Sequence, residues 1–209
     1  GEFNQIQSKQ DMSLKRRLGV KFGQQVVVYA TSLASDKVTR PYAQVGFELI
    51  NEARDIVQAL GGRKNIFLII KLHPGAEKDI EFYQSISESY DNIKIIHDLP
   101  MADIIDLASI VILYSSSVGL ETLNRGKHLI IYNHSGRPSS MTDNYEFMNQ
   151  DPNMGPAARM VHNQSEIYPQ VAKLLEHENS SVPSPGLEYL LENSKLDYNP
   201  TQIIRELLD

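Results

Sequence analysis

The sequence contains no cysteine. That absence excludes disulfides, thiolate catalysis and cysteine-ligated zinc, and it fits a reducing compartment. Long apolar runs are missing too: none approaches the roughly 20 residues that a membrane-spanning helix needs. No secretory signal pattern is visible. Positive charge is not in excess. The net charge is −6 over 209 residues, whereas nucleic-acid binders usually present a basic face. Several site motifs are also lacking. No GxGxxG follows the first apolar run and there is no GxxxxGK[ST], so the standard dinucleotide and P-loop fingerprints are missing. The serine-rich "SSSVG" lacks the first glycine of a GxSxG nucleophile elbow, which argues against a hydrolase. The six histidines show no HExxH or comparable metal-ligand spacing.

What is present is ordinary for a soluble globular protein: 41% hydrophobic and 22% charged residues. The length suits one good-sized domain or two small ones. Gly1, Glu2 and Phe3 read as a vector-derived remnant, which suggests a piece cut from something longer. Residues 1–24 form a polar lead-in in which Ser13–Gly19 is a short helix candidate. A doubly wound region is expected over 25–180, followed by a Ser/Pro-rich linker and helical tail over 181–209, with a helix from Gln202 to Leu208.

Within the central region, short apolar runs alternate with helical patterns. Strands are expected at Gln25–Thr31, Asn65–Leu72, Ile93–Ile96, Ile110–Tyr114 and His128–Tyr132. These runs are continuous rather than alternating, the pattern of strands buried on both faces. Helices are expected at about Tyr42–Leu60, Ala76–Tyr90, Met101–Ala108 and over "VGLETLNRG". In the first of these, Leu49, Ile50, Ala53, Ile56, Val57 and Leu60 recur at helical spacing, and Gly61 and Gly62 stop it. After Tyr132 a long polar loop leads to a last helix at Glu166–His177. Five strands alternating with helices predict an α/β fold: a doubly wound, parallel, Rossmann-like sheet with C-terminal helices.

Ligands of such sheets bind beyond the carboxyl ends of the strands. This rule selects Thr31, Ser32 and Arg40 after the first strand, and His73 and Pro74 after the second. It selects Ser115, Ser116, Ser117 and Gly119 after the fourth, and Asn133, His134, Ser135 and Arg137 after the fifth. The serine run is the strongest candidate. A helix start presents unpaired N–H groups that favour phosphate. Glu121 lies four residues beyond Ser117, not the three of a capping box, so its carboxylate is expected to be free. A free carboxylate one turn into such a helix can take ribose hydroxyls. The plainer alternative stays open: Ser117 as a simple cap and Glu121 as a favourable first-turn charge. His73 can donate to phosphate or act as an acid, though a lone histidine at a strand end is commonly structural. The acidic residues of "EKDIEF" suit a solvated helix face, and Tyr29, Tyr114 and Tyr132 suit packing.

The stretch from Lys71 to Tyr132, with its "HPGA" and "SSSVGLETLNRGKH", resembles the C-terminal half of GT-B-fold glycosyltransferases. It is most similar to bacterial capsule, sialic-acid and teichoic-acid-type transferases, which carry an HP motif and a Ser-Ser or Ser-Thr motif. UDP-N-acetylglucosamine 2-epimerases share the architecture, but with HPNP-like and SGG-like segments. Here "HPGA" and Val118 depart from that pattern and favour the transferases. The likeness covers about residues 65–132, and more loosely 13–180.

The resemblance implies that His73 contacts the donor phosphates and helps the nucleotide leave. Ser115, Ser116 and Ser117, with the N–H groups of Val118 and Gly119, would hold phosphate, and Glu121 the ribose. It implies a nucleotide-sugar donor, CMP-, CDP- or UDP-linked, as substrate, with no cofactor and no metal. It also implies a glycan or lipid-linked acceptor held by a second, N-terminal half, so that this half is expected to be inactive alone. The setting would be cytoplasmic, with peripheral attachment at the inner membrane face as an option. An epimerase-like or hydrolytic nucleotide-sugar enzyme and a non-catalytic α/β binding module are the rival readings.

Overall fold

A computed structural model of the protein describes residues 11–31, 43–75, 80–114, 116–134 and 158–177, with backbone alone for 43–49 and 177. The strands are β1 (Gln25–Ala30), β2 (Ile66–Lys71), β3 (Ile93–Ile96), β4 (Ile110–Leu113), β5 (His128–Tyr132) and β6 (Ala158–Val161). The helices are α1 (residues 11–18), α2 (Ala43–Leu60), α3 (Ile80–Ser87), α4 (Met101–Leu107), α5 (Val118–Asn124) and α6 (Gln164–His177). The six strands form one sheet in the order β3-β2-β1-β4-β5-β6, and all five pairings are parallel. The doubly wound, Rossmann-like architecture read from the sequence is the one observed.

The continuous apolar runs become strands whose alternate residues feed two separate cores. Val27, Tyr29, Leu68, Ile70 and Ile112 pack with Ile56, Leu60, Tyr83 and Val171 on the α2, α3 and α6 side. Val26, Val28, Phe67, Ile69 and Val111 pack with Ile104, Ile105 and Leu123 on the other side, where α4 and α5 lie. Burial on both faces explains why every residue of β2, β4 and β5 is buried. It also makes these strands the dominant source of stability, at about 25 cal/mol per Å² of apolar surface removed from water.

Ends are set by local chemistry. Gly62 stops α2 in the left-handed region (φ 72°), a conformation that costs glycine nothing sterically. Asn92, only 3% exposed, then ties α2 to the sheet. Its amide donates to the carbonyls of Leu60, Ile66 and Arg63 at 3.0, 3.1 and 3.3 Å, and its Oδ1 accepts the Gly62 N–H at 2.7 Å.

The structure corrects the reading of two secondary-structure elements here. A sixth strand, β6, pairs with β5 in a segment between the polar loop and the last helix to which the sequence reading assigned no element. The last helix begins at Gln164 rather than Glu166. There Glu166 reaches back to the His162 N–H (3.2 Å) and the Asn163 amide (2.9 Å), so it sits inside the first turn rather than at its start. The expected tail helix at Gln202–Leu208 lies outside the described residues.

Candidate functional site

The chain runs from β1 outward through β2 and β3, and from β4 outward the other way through β5 and β6. The direction of winding therefore reverses between β1 and β4, and loops diverging from that point leave a crevice at the carboxyl ends. A cleft of about 490 Å³ lies at that edge. Four strand ends line it: Ala30 and Thr31 after β1, Lys71 to Pro74 after β2, His97 to Met101 after β3, and Ser116 to Val118 after β4.

Two bonds hold His73 in this cleft. Its backbone N–H donates to Thr31 Oγ1 at 2.9 Å, so the buried threonine aligns the turn after β2 with the end of β1. Its ring Nδ1 accepts the Gly75 N–H at 3.1 Å. A ring nitrogen that accepts carries no proton, so the neutral imidazole keeps its proton on Nε2. The exposed ring thus offers an Nε2–H donor at the cleft mouth.

The serine turn is arranged differently from the expectation. Ser117 already has helical backbone angles (φ −59°, ψ −17°) and its side chain makes no capping bond. Ser116 does that work instead. Its Oγ accepts the Val118 N–H at 3.2 Å and its carbonyl accepts the Gly119 N–H at 3.1 Å. Both N–H groups expected to face a phosphate are therefore engaged within the turn, and Gly119 is buried in α5, not among the cleft-lining residues. The hydroxyls of Ser116 and Ser117 remain able to donate at the cleft.

Glu121 also departs from expectation. Its carboxylate is not free: Oε1 takes both Nε and Nη2 of Arg125, at 3.3 and 3.2 Å. Arg125 in turn bonds Asp106 of α4 at 2.6 Å. Glu121 does not line the cleft described here.

The residues after β5 belong to another neighbourhood. The Asn133 carbonyl lies 3.0 Å from His162 Nδ1, and His134 Nε2 lies 3.6 Å from Asp55. The Tyr132 hydroxyl donates to Asp55 at 2.7 Å. Burial, then the Asp55 bond, push this phenol well above its ordinary range. Ser32, Arg40, Ser115, Ser135 and Arg137 lie outside the described residues.

The cleft also contains residues that the sequence reading passed over: Lys71, His97, Asp98, Leu99, Pro100 and Met101. A lysine ending the otherwise apolar run "IFLIIK" was a visible signal. The carboxyl-end rule, applied to β3 as well, would have found the remainder. Among the described residues, no three His, Asp or Glu side chains gather as a metal-ligand set, and no helix is long and apolar enough to cross a membrane.

No protein-family model matches the sequence, and no curated protein does. Solved structures do match. The wall teichoic acid polymerase TagF superposes with a TM-score of 0.56 at 14% identity, over 94% of this chain and 45% of that one. The UDP-GlcNAc 2-epimerase from Neisseria meningitidis, bound to UDP-GlcNAc, gives 0.55 at 12%, over 90% and 48%. The fold is one Rossmann-like half of the GT-B architecture. The spinosyn rhamnosyltransferase SpnG, complexed with spinosyn aglycone, is a further neighbour (0.51, 12% identity, over 85% and 47%). The chain spans less than half the length of each of these GT-B-type proteins.

Proposed function

We propose that this cleft binds the phosphates of a nucleotide sugar, and that the chain is the donor-binding half of a glycosyltransferase of bacterial surface polysaccharide synthesis. The observation that carries the reading is the placement of an Nε2–H donor on His73 and two serine hydroxyls around one cleft at the switch point of a GT-B-type sheet. Donors fixed where negative charge grows stabilise a departing nucleotide. His73 stands in the role of leaving-group stabiliser, with Thr31 and Pro74 shaping its turn. Ser116 and Ser117 supply phosphate contacts through side-chain hydroxyls. Ser115, Ser32 and Arg40 are assigned to the same edge by sequence position.

Leu99, Pro100 and Met101 give the cleft an apolar wall suited to a nucleobase. Glu121 lies outside the cleft lining and its Oε1 is held by Arg125, so its assignment to the ribose rests on the sequence resemblance. The donor is CMP-, CDP- or UDP-linked, and the reading calls for no metal and no organic cofactor. A second Rossmann-like half would hold a glycan or lipid-linked acceptor, in the cytoplasm at the inner face of the membrane.

Calorimetric titration with CMP, CDP, UDP and GDP tests this reading. Binding of at least one at millimolar concentration or better is expected. Failure of all four removes it in favour of an interaction module. Conversion of UDP-N-acetylglucosamine to its 2-epimer by this chain would replace it with the epimerase reading.

A further inference from the structure

A lysine at the end of a fully buried strand needs an explanation. Every residue of β2 is buried, and Lys71 is only 6% exposed. In register it lies between Ala30 of β1 and Ile96 of β3. Its Nζ donates to the carbonyls of Leu72 at 3.2 Å and His97 at 2.7 Å. Both acceptors are neutral, and an ammonium has a third donor. Among the described residues Lys71 forms no ion pair. A buried charge bonded only to neutral acceptors is destabilising to the free protein, yet this one lines the cleft. It is also the only lysine or arginine among the described lining residues.

We propose that Lys71 is the charged contact of the cleft, its ammonium anchoring a phosphate or diphosphate group of the ligand at the cleft floor. This deepens the nucleotide-sugar reading and rests on it for the identity of the ligand, but the charge role itself requires only an anion. The neutral donors of His73, Ser116 and Ser117 orient phosphate oxygens, and Lys71 supplies the charge that they lack. An anionic group there also relieves the penalty of the buried ammonium. Burial holds the free amine below the ordinary lysine value of 10.5, against the opposing, smaller pull of the Asp98 carboxylate. The other titratable groups facing it are His73 and His97 from the turns after β2 and β3; the described ends of β1 and β4 contribute none.

A purely mechanical role is the rival: Lys71 could serve only to latch the Leu72 and His97 carbonyls together. Calorimetry on the full 209-residue chain separates the two, using inorganic pyrophosphate, UDP or CDP, and the uncharged nucleosides uridine and cytidine. The variants are K71M, K71Q, which keeps an amide donor without charge, and K71R, which keeps the charge. Circular dichroism establishes that each variant is folded, and K71Q carries the test if K71M is not.

We expect the uncharged variants to weaken pyrophosphate and nucleoside-diphosphate binding about tenfold or more. K71R should stay within about threefold of the wild type, and nucleoside affinity should be unchanged. The ratio of wild-type to K71Q pyrophosphate affinity, in which the ligand's own ionisation cancels, should fall as pH rises toward 10.5, because the ammonium is then lost. Full pyrophosphate affinity in K71Q, no pyrophosphate binding by the wild type, or a parallel loss of nucleoside affinity would overturn the proposal. Lys71-dependent pyrophosphate binding with no nucleotide binding would support the charge role and remove the nucleotide-sugar reading.

Discussion

The orientation of the His73 ring can be tested with two amides of different reach. Glutamine extends its side-chain N–H₂ toward the position of imidazole Nε2, whereas asparagine reaches only the position of Nδ1. In this structure Nδ1 is an acceptor, bonded to the Gly75 N–H at 3.1 Å, and Nε2 carries the proton offered to the cleft. His73→Asn therefore keeps the acceptor for Gly75 and loses the donor to the ligand. His73→Gln gives up the turn contact and keeps a donor. A hydrogen bond to a charged group contributes about 1.5–3 kcal/mol. The imidazole is exposed, so the lower end applies, and about 1.4 kcal/mol corresponds to tenfold in affinity. Titration calorimetry with whichever nucleoside diphosphate binds should find His73→Asn and His73→Ala weakened about tenfold. His73→Gln should stay within about threefold, since it keeps the donor. Equal affinities for the asparagine and glutamine variants would refute the assignment of the ligand-facing donor to Nε2.

Three further outcomes are expected. Thr31→Val removes the acceptor for the His73 N–H (2.9 Å) at nearly constant shape. It should cost about 1 kcal/mol and lower Tm by about 2–4 °C, with a few-fold loss of ligand affinity; a thermal melt and a titration matching the wild type would show that this bond does not position His73. Asn92→Ala breaks four bonds and leaves the Gly62 N–H unpaired, so urea unfolding should report a loss of about 3–5 kcal/mol, and a loss below about 1 kcal/mol would contradict it. The Tyr132 phenol ionises at a higher pH folded than its ordinary 10.0. The unfolded chain then releases its proton first, so stability tied to this group is complete below pH 10.0 and falls as pH rises beyond it. Tyr132→Phe should flatten that alkaline slope in denaturation curves, and an unchanged slope would assign it to other groups.

The sheet was legible because its strands are buried on both faces. "VVVYA", "IFLII" and "HLIIY" can scarcely be anything else once turn signals bound them. The strand β6 was not legible: "ARMV" is four residues with a charged one among them, and its place is set by pairing with β5 rather than by its own pattern. At the site, the carboxyl-end rule located the edge and named Thr31, His73 and the serines. Individual bonding was harder to read. The missing capping-box spacing predicts a free Glu121, yet Arg125 stands four residues on, a spacing that places two side chains on one helix face. Ser116 rather than Ser117 capped the turn, because hydroxyls readily bond an N–H two residues ahead. Lys71 is not legible as a site residue, because a lysine at a strand end ordinarily extends into water and only the tertiary packing encloses this one.

The bonds that shape the cleft join parts of the chain that are far apart in sequence. His73 is held by a threonine 42 residues earlier, and Lys71 reaches a carbonyl 26 residues later. Parallel pairings of this kind require long crossovers, so they form late and slowly compared with local helices. The cleft is accordingly a property of the finished sheet, absent from a nascent chain or a partly docked intermediate. A ligand that recognises it binds the native state alone and shifts the folding equilibrium by mass action, about 2.7 kcal/mol at a hundredfold excess over Kd. For a chain of this topology, the concentration of such a ligand would then govern how much of it survives to be used.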